Sequence, residues 1–206
     1  MQLIITHFPM KKTSLVTLLL IFSAYIGLAQ GYKEGIKKRF GEFYTLIAAG
    51  KTEQSMEYIP DAFFTIIPKE QMVSMMKSVM NNKDLDYRIL DYSITEVKDS
   101  TMINNNCYSI LKYTSNMTMK FKNIDTIRAA GKRKETLNLL KISLGNSFGV
   151  DNVKLDEPTG TFSITSHKKS CAVLQNGQSE WKFINIEARQ RVILEKIIPK
   201  EIIESL

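Results

Sequence analysis

The fold is decided by residues 87–121, which read YRILDYSITEVKDSTMINNNCYSILKYTSNMTMKF. Polar and apolar side chains alternate from Tyr87 to Val97, as is typical of a half-buried strand. Asp99-Ser100 predicts a turn, and Met102 to Phe121 predicts a long second strand with a bulge at residues 104–106. We therefore expect one long antiparallel hairpin.

Helical patterns precede this hairpin. Apolar residues spaced three and four apart predict an amphipathic helix from Tyr32 to Ala49, and Lys51 to Ile59 predicts a second, shorter helix. The apolar run from Asp61 to Ile67 predicts a short strand closed by Pro68. A third helix is expected from Pro68 to Asn82. Its apolar stripe is rich in methionine: Met72, Val73, Met76, Val79 and Met80. We interpret this stripe as core, with an adaptable binding surface as the alternative.

Residues 122–150 interrupt the strand pattern and predict a helical insertion, with a short helix from Glu135 to Leu144. Strand character then returns from Val153 to Ser166, with a break at Pro158-Thr159-Gly160. The runs Lys169–Leu174 and Trp181–Ile186 flank Asn176-Gly177, which predicts a second hairpin.

The tail, Ala188 to Leu206, predicts two helical pieces, and Pro199 suits the first turn of the second piece. Helices followed by hairpins predict an α+β domain, and we see no linker or repeat between residues 30 and 206.

Residues 1–29 predict a cleaved secretory signal peptide. Lys11 and Lys12 precede an apolar run from Leu15 to Leu28, which is shorter than the roughly 20 residues that span a bilayer. Gly27-Leu28-Ala29 fits a cleavage site and leaves Gln30 as the mature N-terminus. The alternative is an uncleaved anchor. Met10-Lys11-Lys12 is a more conventional start for such a leader than Met1, so Met10 is an alternative initiator.

The end of this leader resembles those of bacterial exported proteins. We therefore expect residues 30–206 to be exported to the periplasm or the medium. No later segment is long and apolar enough to predict a transmembrane span.

Composition excludes several protein classes. Apolar residues make up 44% of the 206 residues and charged residues 24%, so the chain is neither disordered nor fibrous. Two cysteines are too few for a disulfide scaffold. Cys107 and Cys171 lie in strand-like segments, where they are either bridged in an oxidising compartment or buried as free thiols.

The positive charge of the chain is local. The formal net charge is +7, of which the first 29 residues carry +2. Residues 120–141 contain seven basic and two acidic side chains and so account for the remaining excess. We call the seven basic residues the basic patch: Lys120, Lys122, Arg128, Lys132, Arg133, Lys134 and Lys141.

The basic patch fits an acidic partner, anionic lipid head groups or a polyanionic glycan. The alternative is a solvated insertion whose charge serves solubility. Phe121 is the one aromatic residue among these basic side chains, which argues against a platform for single-stranded nucleic acid. We expect no nucleic-acid partner.

No catalytic or metal-binding motif is found. His167, the one histidine after the leader, lies in a polar segment typical of a solvated side chain. Asp84, Asp86 and Asp91 cluster before and within the first long strand, but their spacing fits no calcium loop. We therefore expect no metal and no cofactor.

The order of elements resembles the cystatin-like α+β cone superfamily, typified by nuclear transport factor two and the polyketide-cyclase-like families. The resemblance rests on the first helix followed by Gly50-Lys51 and residues 61–64, and on residues 176–183, a Gly-x-Trp-like lead into a late strand. It covers about residues 32–185, with residues 122–150 and the tail as departures. It implies helices packed on a curved antiparallel sheet that encloses a pocket at its open end. No catalytic motif of that superfamily matches this chain.

We expect a non-enzymatic module that binds an apolar ligand or a partner. The aromatic residues expected to line its pocket or sheet face are Tyr87, Tyr92, Tyr108, Tyr113 and Trp181. The alternative is a small hydrolase or isomerase that uses a buried acid such as Asp91. A third interpretation is a homodimer formed through the outer sheet face.

Overall fold

A computed structural model describes residues 31–187 and 190–205. The predicted leader lies outside these residues. Within them, no helix has the length and apolar character that a membrane crossing requires.

Among residues 31–187, five α-helices precede the sheet or interrupt it. Helix α1 spans residues 31–48, and the next elements are α2 (Thr52–Ser55), a 3-10 turn (Met56–Tyr58), α3 (Asp61–Phe64) and α4 (Lys69–Met80). Helix α5 (Ala130–Phe148) lies between the two halves of the sheet sequence and is flanked by 3-10 turns at Lys122–Thr126 and Val150–Asn152. The tail forms α6 (Arg191–Leu194) and α7 (Lys200–Glu204).

In the described part of the chain, six strands form one antiparallel sheet that is curved and unclosed. They are β1 (Leu85–Val97), β2 (Thr101–Ile103), β3 (Asn106–Phe121), β4 (Val153–Asp156), β5 (Thr161–Leu174) and β6 (Lys182–Ile186). The order is β1-β3-β5-β4, with β2 beside β3 and β6 beside β5. The predicted α+β class and the hairpin of β5 and β6 are confirmed. The predicted long hairpin is present, but the chain reverses at Asn104-Asn105 and not at Asp99-Ser100, which only separates β1 from β2 along the same edge of β3.

The bulge predicted at residues 104–106 is a tight turn instead. Ile103 pairs with Asn106, so the two intervening residues form the loop between β2 and β3. Asn104 and Asn105 have φ values of 49° and 62°. A two-residue hairpin loop requires this left-handed backbone, which asparagine tolerates better than most residues.

The strand predicted from Asp61 to Ile67 is wrong, because residues 61–64 form α3. A short apolar run does not distinguish a strand from a buried helical turn by its periodicity. Here Pro60 begins the turn, its carbonyl accepting a hydrogen bond from the Phe63 N–H at 2.9 Å. Phe63 is buried in the core, which stabilises the helical turn.

Helix α5 is longer than predicted at both ends. The expected stop at Gly145 does not occur, and the helix ends before Gly149, whose φ is 95°. Gly145 is buried within the helix. A side chain there would lie 3.4 Å from the Cα of Val150, so this glycine allows the following turn to pass close over the helix.

One face of the sheet is covered by two helices. Near β6, α1 packs its buried Ile36, Phe40 and Phe43 against β3, β5 and β6. At the other end, Leu137 of α5 contacts a second core cluster. The buried members of that cluster from the sheet and its connections are Met117, Ile124, Val153, Phe162 and Ile164. Residues 122–150 are thus an integral layer of the fold.

The opposite face of the sheet is covered over only part of its area. The tail buries Leu194, Ile198, Ile202 and Ile203 in the same core cluster as Ile110 and Cys171. Farther along β3 and β5, Thr114, Asn116, Thr165 and His167 are half-buried or exposed. This part of the outer face is polar and open.

Cys107 and Cys171 are free thiols that lie on opposite faces of adjacent strands. Cys107 pairs with Leu174 and Cys171 with Ile110, so the two cysteines differ by an odd number of positions in the register. Because successive side chains of a strand point to opposite faces, the two sulfurs cannot meet. The bridged alternative is therefore excluded.

The two thiols should react at very different rates. Burial raises the pKa of the Cys171 thiol to about 12, and it is fully buried, whereas Cys107 is half-buried. At pH 8 we expect a disulfide reagent such as 5,5′-dithiobis(2-nitrobenzoate) to modify one thiol of the folded protein and the second only on unfolding. Mass spectrometry of a Cys107→Ser variant identifies which thiol reacted. A non-reduced mass two hydrogens lower would contradict the assignment.

Gly41 in α1 should be intolerant of a side chain because Tyr92 lies against it. A Cβ at Gly41 would be 2.6 Å from the Tyr92 hydroxyl and 3.8 Å from its ring carbon, whereas one at Gly35 would meet nothing closer than 3.9 Å. We expect Gly41→Ala to lower the free energy of unfolding by about 1–3 kcal/mol. Gly35→Ala, the matched control, should raise it by about 0.5–1 kcal/mol.

Tyr92→Phe removes the hydroxyl and should abolish the cost of Gly41→Ala. Urea denaturation of the two single variants and the double variant measures this coupling. Equal effects of Gly41→Ala in both backgrounds would show that the contact is unimportant.

Candidate functional site

An apolar cleft of about 350 Å³ lies between α1, the segment from α2 to α3, α4 and β6. Its walls are mainly aliphatic, aromatic and methionine side chains: Phe43, Ile47, Met56, Ile59, Phe63, Ile67, Met72, Met75, Met76, Phe183 and Ile184. Ligand pockets in proteins commonly have volumes of about 300–1,000 Å³ and this kind of lining. The cleft is therefore the candidate site.

The floor of the cleft is rigid. Phe43 of α1 stacks on Phe183 of β6 with ring centroids 5.9 Å apart and an interplanar angle of 14°. Phe43 also stacks on Tyr58 with ring centroids 5.8 Å apart. A ring packed against two others has few alternative rotamers, so the shape of the floor is preset.

The roof of the cleft is the loosely packed helix α4. None of its 12 residues is fully buried, and Met75 is 57% exposed. The predicted methionine stripe meets the core, but only through half-buried side chains such as Met72 and Met76. Methionine is flexible and polarisable and adapts to varied apolar surfaces.

Two exposed ion pairs connect α4 to the segment below it. Lys69 binds Glu57 at 2.7 Å, and Lys77 binds Glu53. The hydrogen bond from Lys77 holds the pKa of Glu53 below its usual range, and the hydrogen bond from Lys69 does the same for Glu57. Exposed ion pairs contribute little to stability and are screened by salt, so α4 is weakly fastened.

Polar side chains lie where β6 ends. Asn185, Glu187 and Gln190 line the cleft there. The Tyr113 hydroxyl donates a hydrogen bond to Asn185 Oδ1 at 3.3 Å, and Glu187 is ion-paired with Lys168. The cleft thus has an apolar body and a polar end.

None of the five aromatic residues predicted as ligand contacts lines this cleft. Tyr92 and Tyr113 pack around Phe40, with ring centroids 5.9 and 4.8 Å from its ring. Tyr87 contacts the second core cluster. Burial raises the pKa of the Tyr87 hydroxyl and also that of the Tyr113 hydroxyl. Trp181 is buried beside Tyr32.

Tyr108 is also buried and lies in a separate groove with Ile110 and Ile202. The five side chains therefore do not form one site, and their role in binding stays a prediction. The residues of the cleft were expected to face the core, and only the methionine stripe hinted at a binding surface.

The carboxylates considered as candidate acids lie outside the cleft. Asp91, the suggested buried acid, is exposed and accepts a hydrogen bond from Asn116 Nδ2 at 2.6 Å. Its expected burial is wrong, because no helix among residues 31–187 and 190–205 covers that part of the outer face. Asp86 is bound by Arg88 at 3.1 Å, which holds its pKa low.

No group of three or more acidic, histidine or cysteine side chains within residues 31–187 and 190–205 is arranged to hold a metal. Asp84 is exposed, and its carbonyl accepts a hydrogen bond from the Lys122 N–H at 2.9 Å. His167 is exposed and lies 3.4 Å from the Thr114 hydroxyl. These residues form no catalytic constellation with one another.

The basic patch is divided by its contacts. Lys120 binds Asp125 at 2.8 Å, and Arg133 donates to the carbonyls of Glu157 and Pro158 at 2.9 and 3.3 Å. The other five members are exposed: Lys122, Arg128, Lys132, Lys134 and Lys141.

Comparison of the chain with models of known protein families, with curated proteins and with solved structures finds no match. The resemblance to the cone superfamily therefore stays a prediction.

Removing the two ion pairs should loosen α4. In the variant Lys69→Gln/Lys77→Gln, we expect the hydrogen-exchange protection of residues 69–80 to fall severalfold at pH 7. The pKa values of Glu53 and Glu57 are lowered in the folded protein. The ion pairs therefore stabilise α4 fully at pH values above the ordinary glutamate pKa of about 4.3. This stabilisation is lost as the pH falls through the lowered pKa values.

Protection factors at pH 3 should thus be equal in the wild type and this variant. Lys37→Gln/Lys200→Gln is the matched control, because both lysines pair within their own helices. A control that loosened α4 as much would show that net charge, and not these contacts, sets its protection.

Proposed function

We propose that this protein is an exported, non-enzymatic binding module that holds a small apolar ligand in the cleft beneath α4. The observation that carries the proposal is the combination of a preformed aromatic floor with a weakly fastened, methionine-rich roof. Protein interiors leave few voids of this size, and a helix with no fully buried residue gives such a space a route for entry.

The lining suggests what the ligand is. Apolar side chains form most of the walls, which favours a hydrocarbon body. Asn185 and Gln190 offer hydrogen bonds at one end, while Glu187 is neutralised by Lys168. A neutral amphiphile, with an aliphatic or aromatic body and one hydroxyl or amide group, matches this distribution.

Binding is favoured over catalysis by the ionisable groups near the cleft. Glu187 is the one charged residue that lines it within the described ranges, and this carboxylate is already ion-paired. A general acid or base needs a proton-transfer group within reach of a substrate and a pKa matched to its task. The cleft supplies hydrogen bonds and apolar contact, which suffice for binding.

The proposal of export rests on the N-terminal sequence alone. A cleft between helices and the β6 strand of an antiparallel sheet supports the proposed resemblance to the cone superfamily. Self-association through the outer face would have to use its open polar part, because the tail covers the rest.

A neutral fluorescent probe tests the binding proposal. N-phenyl-1-naphthylamine should bind the purified protein with increased emission, and 1-decanol should displace it. A carboxylate placed in the roof by Met76→Glu should weaken probe binding about tenfold or more, because the ligand would desolvate the charge.

Val79→Glu is the matched control, since Val79 lies on the same helix, is 49% exposed and does not line the cleft. It should bind the probe as the wild type does. Thermal melts establish that both variants are folded. Equal binding by the two variants, or no displacement by decanol, would exclude the cleft as the site.

A further inference from the structure

Helix α5 carries apolar side chains on two faces. Its inner face, with Leu137, Leu140 and Leu144, contacts the second core cluster. Its outer face exposes Leu139 and Ile142, which are 62% and 61% accessible. These two residues are three positions apart and are therefore neighbours on the helix surface. A helix that needed only to cover the sheet would carry polar side chains there.

A third exposed aliphatic side chain follows the helix. Val150 is 73% exposed and lies close to Gly145 of α5. Leu139 and Ile142, which we call the outer apolar patch, project from one side of α5. Isolated exposed aliphatic residues are common, but a cluster of them on one face marks an interaction surface.

Exposed basic side chains lie on the same helix and just before it. Lys132 is on the side of Leu139, seven positions before it, whereas Lys134 and Lys141 are three and four positions from Leu137 and lie on the flank of α5. Arg128 and Lys122 precede the helix. All five are exposed, and no acidic side chain in the described part of the chain forms an ion pair with any of them. The acidic groups nearest in sequence are Asp125, which binds Lys120, and Glu135, which lies four positions before Leu139 and therefore on the same side of α5.

We propose that the outer face of α5 docks on an anionic lipid surface, with Leu139 and Ile142 entering the head-group boundary and the lysines contacting lipid phosphates. Both features are needed to select this partner. An acidic glycan matches the charge but offers no apolar layer, whereas a bilayer offers both. Long lysine side chains can place their ammonium groups at the phosphates while their methylene stems cover apolar surface.

This surface is separate from the cleft beneath α4, because no residue of α5 lines that cleft. The helix is also held on the sheet by its own core cluster. Docking therefore needs no rearrangement of the fold, and the proposal does not depend on ligand binding in the cleft.

Vesicle sedimentation tests the proposal with the purified chain. We expect binding to vesicles of phosphatidylcholine with 30% phosphatidylglycerol and much weaker binding to pure phosphatidylcholine, with the affinity for anionic vesicles falling steeply between 0.05 and 0.5 M NaCl. Lys134→Gln/Lys141→Gln should reduce the partition coefficient on anionic vesicles about fivefold for each lysine removed. Leu139→Ser/Ile142→Ser should reduce it about tenfold or more.

Met102→Ser/Val192→Ser is the matched control, because these side chains are 70% and 72% exposed but lie on β2 and α6. It should bind as the wild type does. All variants share one N-terminus, so any contribution of the first 30 residues is the same in each.

Equal binding to neutral and anionic vesicles would overturn the proposal, as would an unchanged affinity of the Leu139→Ser/Ile142→Ser variant. Binding to soluble poly-glutamate but not to vesicles would overturn it in favour of an acidic protein partner.

Discussion

The structure depends on the contact of one aromatic side chain of α1 with the sheet. Phe40 is 1% exposed, and five rings surround it with centroids 4.8–6.1 Å away: Phe43, Tyr44, Tyr92, Tyr113 and Phe183. These rings come from α1, β1, β3 and β6, so one side chain joins the first helix to strands from both hairpins. Aromatic pairs at such separations add stability beyond the area they bury.

Small residues make this ring cluster possible. Gly41 allows Tyr92 to approach α1, and the hydroxyls of Tyr44 and Ser115 share a buried hydrogen bond. A larger residue at either position would separate helix and sheet. The same packing fixes the floor of the cleft, because Phe43 and Phe183 pack against Phe40 and also line the space beneath α4. The floor is therefore held by the aromatic core, whereas the roof, α4, is held mainly by half-buried side chains and exposed ion pairs.

Periodicity in the sequence predicted α1, α4, the long hairpin and the β5–β6 hairpin, because these elements bury one face over many residues. It failed where the pattern was short or ambiguous. The pattern of residues 61–67 predicts a strand, but burial of Phe63 in the core favours a helical turn. Gly145 predicts the end of a helix, but the helix continues because Val150 packs close to this glycine. Both outcomes depend on tertiary contacts that lie outside the local window.

The candidate site was harder to predict for a related reason. Its lining residues have the same composition as core, and only the incomplete burial of α4 distinguishes a cleft from a filled interior. The basic patch, in contrast, was visible as a charge count. The structure was needed to show that Lys120 and Arg133 already have partners and that Leu139 and Ile142 are exposed on the helix that carries three of the other basic residues.

The placement of the two cysteines has a consequence for how this chain matures. Because the register puts Cys107 and Cys171 on opposite faces, the native state is reached without any oxidative step and without a thiol-disulfide isomerase. A reducing compartment therefore removes no cross-link from the native state. In an oxidising compartment, a bridge between these two thiols can form only in the unfolded chain and would have to be reduced before the native register forms.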